Sequence, residues 1–263
     1  MRTSRCRTLW NEDRAAYVIA VHLDDPRSAE IAAAQGWDCL WVDLEHGPRC
    51  ERDVEHMGRA AYRGGARFPH GVPDIMARPG KGEFMRLGRL LEAGATGILY
   101  PRCESAAEAR EVVRWAKFPP LGERGFDGGN ADNFYGGYES ASYVAAANTA
   151  VWVAAQIESP AAVECAEEIA SVPGVDLLFF GPADYSNLIG LTGQFTAPPV
   201  LAAMEKTARA CRAAGIRFGT IANTPELHAA AAKAGCKLFA VGSDQGTLAT
   251  GLRDLLQTVR ARG

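Results

Sequence analysis

Hydrophobic positions along the chain fall into two alternating patterns. Short apolar runs rich in β-branched and aromatic residues, as expected of buried parallel strands, alternate with longer stretches of amphipathic helical periodicity. The runs span Tyr17 to Val21, Cys39 to Leu44, Asp74 to Arg78, Gly97 to Tyr100, Val151 to Ile157, Leu177 to Phe180, Arg217 to Ile221 and Leu238 to Val241, and a helical stretch follows each. The punctuation agrees. Ser105 and Glu108 have the spacing of a capping box, Thr224-Pro225-Glu226 opens a helix, and Gly94, Gly215 and Gly235 stand where three helices end. Such β–α repeats with right-handed crossovers build a parallel sheet, either open and doubly wound or closed. The number of repeats and the 263-residue length predict closure into one α/β domain over residues 1–263, a (β/α)8 TIM barrel. One stretch breaks the rhythm. Pro119 to about Gly137 is rich in Gly, Asp and Asn and is longer than an ordinary αβ connection, which predicts partial helix or a special role.

Bulk properties narrow the function classes. With 48% hydrophobic and 22% charged residues and a formal net charge of -3, the chain lacks the basic field that nucleic-acid binding needs. No apolar run approaches the roughly 18 residues of a membrane span. The seven cysteines form no C-x-x-C pair, so neither a disulfide framework nor a zinc site is signalled. Arg2, Arg5 and Arg7 are followed by Asn11-Glu12-Asp13-Arg14 instead of the apolar core of a leader, and the expected compartment is the cytoplasm.

Polar residues able to do chemistry recur where the apolar runs end: His46, Arg78, Glu158, Asp184 and Asn223 close the second, third, fifth, sixth and seventh. In a barrel these ends converge on the face that carries active sites. Gln156 and Glu158 share a strand face by the two-residue period. Glu158 and Asp184, without His or Cys companions, suit a hard cation such as Mg2+ or Mn2+, although helix capping also accounts for either acid alone. Arg78 is placed to bind an oxyanion or to form a structural salt bridge. A carboxylate of Asp43-Leu44-Glu45 lies near enough in sequence to orient His46 as a base, and His22 is a second candidate; His56, His70 and His228 read as solvated. Gly242-Ser243 is a candidate anion site before the last helix. The only lysines are Lys81, Lys117, Lys206, Lys233 and Lys237, none inside a strand, which argues against a Schiff-base mechanism.

Taken together, Trp37-Asp38 through Asp43-Leu44-Glu45-His46-Gly47-Pro48, Arg78-Pro79, Leu90-Leu91-Glu92-Ala93-Gly94-Ala95, Pro119-Pro120 through Gly122-Glu123-Arg124-Gly125, Gln156-Ile157-Glu158 and Gly181-Pro182-Ala183-Asp184-Tyr185-Ser186 resemble the HpcH/HpaI aldolases. These are metal-dependent class II pyruvate aldolases acting on 4-hydroxy-2-oxo acids. The resemblance implies that Glu158 and Asp184 ligate a divalent metal (Mg2+, Mn2+ or Co2+), which polarises the keto oxygen of pyruvate. It implies that Arg78 contacts that oxygen, that the amides of Ala183 and Asp184 hold the carboxylate, and that Gln156 lies beside the metal. His46, paired with Asp43, would move the proton at the aldehyde-derived hydroxyl. Glu92 would reach a neighbouring subunit's site in a homo-oligomer, usually a hexamer exchanging its last helix, here about 246–262. The stretch Phe126 to Tyr135 departs from the better-known aldolases and is similar to the branch near macrophomate synthase. Three other activities stay open: an oxaloacetate decarboxylase or enolate-coupling enzyme on the same site, a phosphoenolpyruvate enzyme, and a noncatalytic keto-acid-binding barrel.

Overall fold

The computed structural model describes residues 3–262, so Arg2 of the basic N-terminal group lies outside it. Parallel strands β1 (Ala16–Val21), β2 (Cys39–Asp43), β3 (Asp74–Arg78), β4 (Gly97–Tyr100), β5 (Trp152–Ile157), β6 (Leu177–Phe180), β7 (Arg217–Ile221) and β8 (Leu238–Ser243) close into a barrel in sequence order. Ala16 opposite Leu238 forms the closing seam between β1 and β8. The predicted barrel is therefore observed, with most strand limits displaced by one residue or none and β8 running two residues farther.

The strand period of two sorts the apolar residues into two cores. Trp41, Met76, Leu99, Trp152, Phe179 and Leu238 fill the barrel interior. Leu40, Val42, Ile75, Ile98, Leu178 and Phe180 face outward into the surrounding helices. Bulk inside is made possible by a missing side chain: a Cβ on Gly97 would lie 2.2 Å from the Trp152 ring.

A helix that the periodicity does not reveal, Arg5–Asn11, plugs the end of the barrel where the strands begin. Its anchor is Asp74, fully buried, which accepts hydrogen bonds from Ser4 Oγ (2.5 Å), the amides of Arg5 (3.0 Å) and Cys6 (3.1 Å), and Trp152 Nε1 (3.1 Å). Trp10 sets its ring edge-on to Trp152 and donates Nε1 to the Lys237 carbonyl at 2.8 Å. With that mouth shut, access is left to the opposite end.

The irregular stretch after Pro119 contains one short 3-10 turn, Ala131–Asn133, and is followed by a helix, Ser140–Ala150, that stands outside the β–α alternation. Arg124 orders it, donating to Asp132 at 2.6 Å and to Tyr143 Oη at 3.3 Å, with its guanidinium 4.6 Å from the Phe118 ring. The cap at Ser105 differs from the expected box. Ser105 Oγ accepts from the Glu108 amide, but the Glu108 carboxylate takes the amide of Glu104 instead of Ser105.

No helix among the described residues is long and apolar enough to cross a membrane. The last helix, Asp244–Arg260, has no buried residue, and its Leu248, Leu252, Leu255, Leu256 and Val259 form an exposed stripe at helical spacing.

Lys117 is buried at the plugged end, donating Nζ to the carbonyls of Asn148 (3.2 Å) and Val151, with Asp176 at 3.8 Å. Burial pushes its ammonium down to about 8 from 10.5, and the Asp176 charge opposes that only in part. The unfolded chain keeps the proton to higher pH than the folded chain does, so the stability this group contributes rises with pH across that window. Lys117→Met removes the effect. In urea titrations, the wild type should gain about 2 kcal/mol on the variant between about pH 7.5 and about pH 9.5. A difference independent of pH would mean that Lys117 is not perturbed.

Candidate active site

Where the strands end, a cavity of about 630 Å³ opens. Among its walls are the sequence-predicted Asp43, His46, Arg78, Gln156, Glu158, Ala183 and Asp184, together with His22 and Asn223. Glu92 is not among them. It ends the helix Arg86–Glu92 that leads into β4, which puts it at the plugged end. Burial raises its carboxyl, with Asp132 and Asp127 adding to the rise and Arg124 opposing it.

Arg78 organises one side of the cavity. Its side chain is 7% exposed, and it meets Asp43 through two parallel hydrogen bonds, Nε to Oδ1 at 2.9 Å and Nη2 to Oδ2 at 2.6 Å. Nη1 faces Glu45 at 3.3 Å and Gln156 Oε1 at 3.5 Å, while the guanidinium carbon lies 4.7 Å from the Trp41 ring centroid. Burial works against ionisation of Asp43, but the Arg78 hydrogen bonds and charge prevail and hold its carboxyl below the ordinary range. Asp43 is thus committed to Arg78, the adjacent strand end in register with it. His46, 63% exposed, has Glu45 as its acid neighbour, with Nε2 at 3.7 Å from the carboxylate.

The other side carries the two carboxylates. Glu158 is buried; Oε1 accepts the amide of Arg102 at 2.9 Å and Oε2 accepts Gln156 Nε2 at 2.5 Å. Space for it depends on Gly181, where a Cβ would fall 2.6 Å from Glu158 Oε2. Asp184 stands at the rim in the first turn of the helix Pro182–Leu188, which has no side-chain cap. The first-turn amides of Ala183 and Asp184 have no partner inside that helix. Burial first, and then the charge of Asp184, pushes the Glu158 carboxyl up to about 7. Two oxygen donors in this state form a pair that a hard cation would relieve, because such ions bind through one or two carboxylates and complete their shell with water or substrate. No group of three or more His, Cys, Asp or Glu able to hold a metal occurs among the described residues.

Comparison with known proteins decides the family. Residues 17–250 match the sequence profile described as HpcH/HpaI aldolase/citrate lyase. The chain belongs to this family. A 4-hydroxy-2-oxovalerate aldolase of Novosphingobium aromaticivorans is 35% identical over 240 residues, 91% of this chain and 88% of the relative. A crystal structure of an HpcH/HpaI aldolase/citrate lyase family protein from Burkholderia cenocepacia J2315 superposes with a TM-score of 0.89 at 32% identity, covering 98% of this chain and 100% of that one. Macrophomate synthase superposes with a TM-score of 0.82 at 25% identity, over 98% and 88% of the two chains. As a member of the HpcH/HpaI family the protein is a carbon–carbon lyase.

Beyond the positions marked by the HpcH/HpaI resemblance, the structure adds residues to the site. Arg49 lines the cavity with its side chain 6% exposed, facing Asp24 at 3.1 Å and donating to the His22 carbonyl. Arg102 follows β4, in a left-handed backbone conformation with φ 48°. Of the second to seventh repeats, only the fourth has no candidate polar residue at its end in the sequence reading above, and that gap is the available signal for Arg102. Such a conformation costs a non-glycine residue on the order of 1 kcal/mol, and it is held here because the amide is fixed on Glu158.

The Gly242-Ser243 turn lines the cavity; there Ser243 Oγ caps the helix through Gly246 N at 3.0 Å and the Asp244 carboxylate takes the amides of His22 (2.8 Å) and Leu23 (3.2 Å). Two histidines differ from the expectation of solvated side chains. His70 is tied to the Ala33 carbonyl at 2.9 Å, and His228 stacks on Phe239 at 4.7 Å, so neither is simply solvated.

The burial of the Arg78–Asp43 pair makes a measurable difference between Asp43 and His46. Asp43→Ala should lower stability by about 3–5 kcal/mol, the cost of stranding a buried charge. The exposed His46→Ala should stay within about 0.5 kcal/mol of wild type in the same urea titrations. A small effect of Asp43→Ala would show that Glu45 alone suffices to hold Arg78.

Proposed function

We propose that this protein is a divalent-metal-dependent, class II aldolase that forms or cleaves 4-hydroxy-2-oxo acids through the enolate of pyruvate. One observation carries the proposal. A like-charged carboxylate pair, Glu158 and Asp184, shares a cavity with a guanidinium, Arg78, that Asp43 holds in place and keeps ionised against the cost of its burial. Its support in the family is the similarity to a protein named as an aldolase of a 4-hydroxy-2-oxo acid.

In this reading Glu158 and Asp184 hold Mg2+, Mn2+ or Co2+, and Gln156 fixes the orientation of Glu158 through its 2.5 Å hydrogen bond. The bound cation supplies Lewis acidity toward the keto oxygen. Arg78 offers hydrogen bonds to the same oxygen as it gains charge, stabilising the enolate more than ground-state pyruvate. The free amides of Ala183 and Asp184 receive the substrate carboxylate. His46, at the exposed edge, takes or returns the proton of the acceptor hydroxyl; Glu45 is its acid partner, while Asp43 acts through Arg78.

The same reading gives the surface features a purpose. The exposed stripe on Asp244–Arg260 is a docking face for a second copy, in which exchanged last helices build a homo-oligomer, by family analogy a hexamer. Glu92, far from its own cavity, faces a neighbour's site in that assembly. All seven cysteines are free, which suits the cytoplasm proposed as its location.

Protein stripped with a chelator should release no pyruvate from a 4-hydroxy-2-oxo acid, and Mg2+, Mn2+ or Co2+ should restore release. Glu158→Ala and Asp184→Ala should not respond to added metal. Activity that persists under chelation, together with borohydride trapping of pyruvate on the chain, would contradict the proposal.

A further inference from the structure

The fourth strand ends in a residue whose backbone and side chain both address the acid pair. Arg102 gives its amide to Glu158 at 2.9 Å, and its carbonyl accepts Lys81 Nζ at 2.9 Å. Lys81 is itself held by Glu104 at 3.0 Å and Glu108 at 3.3 Å, so the peptide groups on either side of Arg102 are pinned. This pinning sets the left-handed φ of 48°, a conformation that glycine adopts without strain. The chain nevertheless carries a long cationic side chain there. That side chain makes no hydrogen bond among the described residues and is 53% exposed; the carboxylate within ion-pair distance is Asp184, with Nη2 at 3.6 Å from Oδ1, and Glu104 also feels its charge. The pinned backbone therefore needs no arginine, and the guanidinium is directed at Asp184.

We propose that Arg102 is a resident counter-cation of the acid pair, which competes with the divalent cation for Asp184 and, once that cation is bound, helps to hold an anionic keto acid. The inference rests on the metal-binding reading of Glu158 and Asp184. Its physical content is a trade. A positive charge beside a cation site repels a divalent ion, so it weakens metal binding. The same charge draws an anion toward the loaded site, so it strengthens substrate binding. A purely structural residue would move both affinities in the same direction. The effect is moderate, because a half-exposed pair at this distance is screened by solvent.

The test is calorimetry with two probes, Mn2+ alone and then oxalate added to the Mn2+-saturated protein, on wild type, Arg102→Met, Arg102→Gly and Arg102→Lys. Arg102→Gly matches the left-handed backbone and protects the test against misfolding. Asp184→Asn serves as the control for the metal site itself. Arg102→Met and Arg102→Gly should bind Mn2+ roughly two- to tenfold more tightly than wild type and oxalate more weakly by a similar factor, with Arg102→Lys close to wild type. Mn2+ binding in wild type that is lost in Asp184→Asn but unchanged or weakened in Arg102→Met and Arg102→Gly would overturn the counter-cation while leaving the metal site standing. Absence of Mn2+ binding in wild type and in every Arg102 variant would overturn both readings together.

Discussion

A guanidinium held almost out of water at the end of β3 sets the terms for much of the cavity. Arg78 carries its charge there because β2 and β3 are paired in register, which puts Asp43 directly beside it with two matched hydrogen bonds. Glu45 and Gln156 take up Nη1, and the Trp41 face lies within cation–π distance. Removing a charge from water is costly unless its partners are placed in advance, and parallel strand ends provide that placement without reliance on mobile loops. The plugged end contributes as well. With Arg5–Asn11 fastened to Asp74, the interior is packed from below and the open end is left for chemistry.

Across from Arg78, two acids are brought together against their mutual repulsion. The cost is visible in Glu158, which burial and the neighbouring Asp184 charge make reluctant to ionise. Gln156, the Arg102 amide and the space left by Gly181 hold it in place all the same. The cavity is therefore electrostatically divided, with a compensated cation on one wall and an undercompensated acid pair on the other. A 2-keto acid has two oxygens suited to a cation held by the acids, and its developing enolate oxygen suits the guanidinium. The division thus matches the reaction proposed for the site.

The barrel was legible in the sequence because buried parallel strands are continuous apolar runs and the helices between them carry their own start and stop residues. The cavity was legible because strand ends converge. Two classes of feature were not. The plug helix and the helix Ser140–Ala150 stand outside the β–α rhythm, and the plug is anchored on a buried aspartate, Asp74, that no periodicity exposes. Pairings inside the site were the other. Asp43 precedes His46 by one helical turn's worth of residues, which suggested a dyad, yet strand register gives the aspartate to Arg78, and sequence separation cannot show register. Arg102 and Arg49 carry no mark in the sequence because each lies on a loop beyond its strand, where an arginine is ordinarily a solvated surface residue.

The role proposed for Arg78, stabilising a pyruvate enolate, is tested by solvent exchange of the pyruvate methyl protons, followed by NMR in D2O with protein, Mg2+ and pyruvate alone. No acceptor is present, so exchange reports enolate formation without the later steps. Wild type should show steady exchange, and Arg78→Ala a loss on the order of 10²–10³, the usual consequence of removing one oxyanion donor. Arg78→Lys should recover little, because an ammonium does not reproduce the planar fork held by Asp43. Exchange at the wild-type rate in Arg78→Ala, with Mg2+ still bound, would mean that Arg78 does not stabilise the enolate.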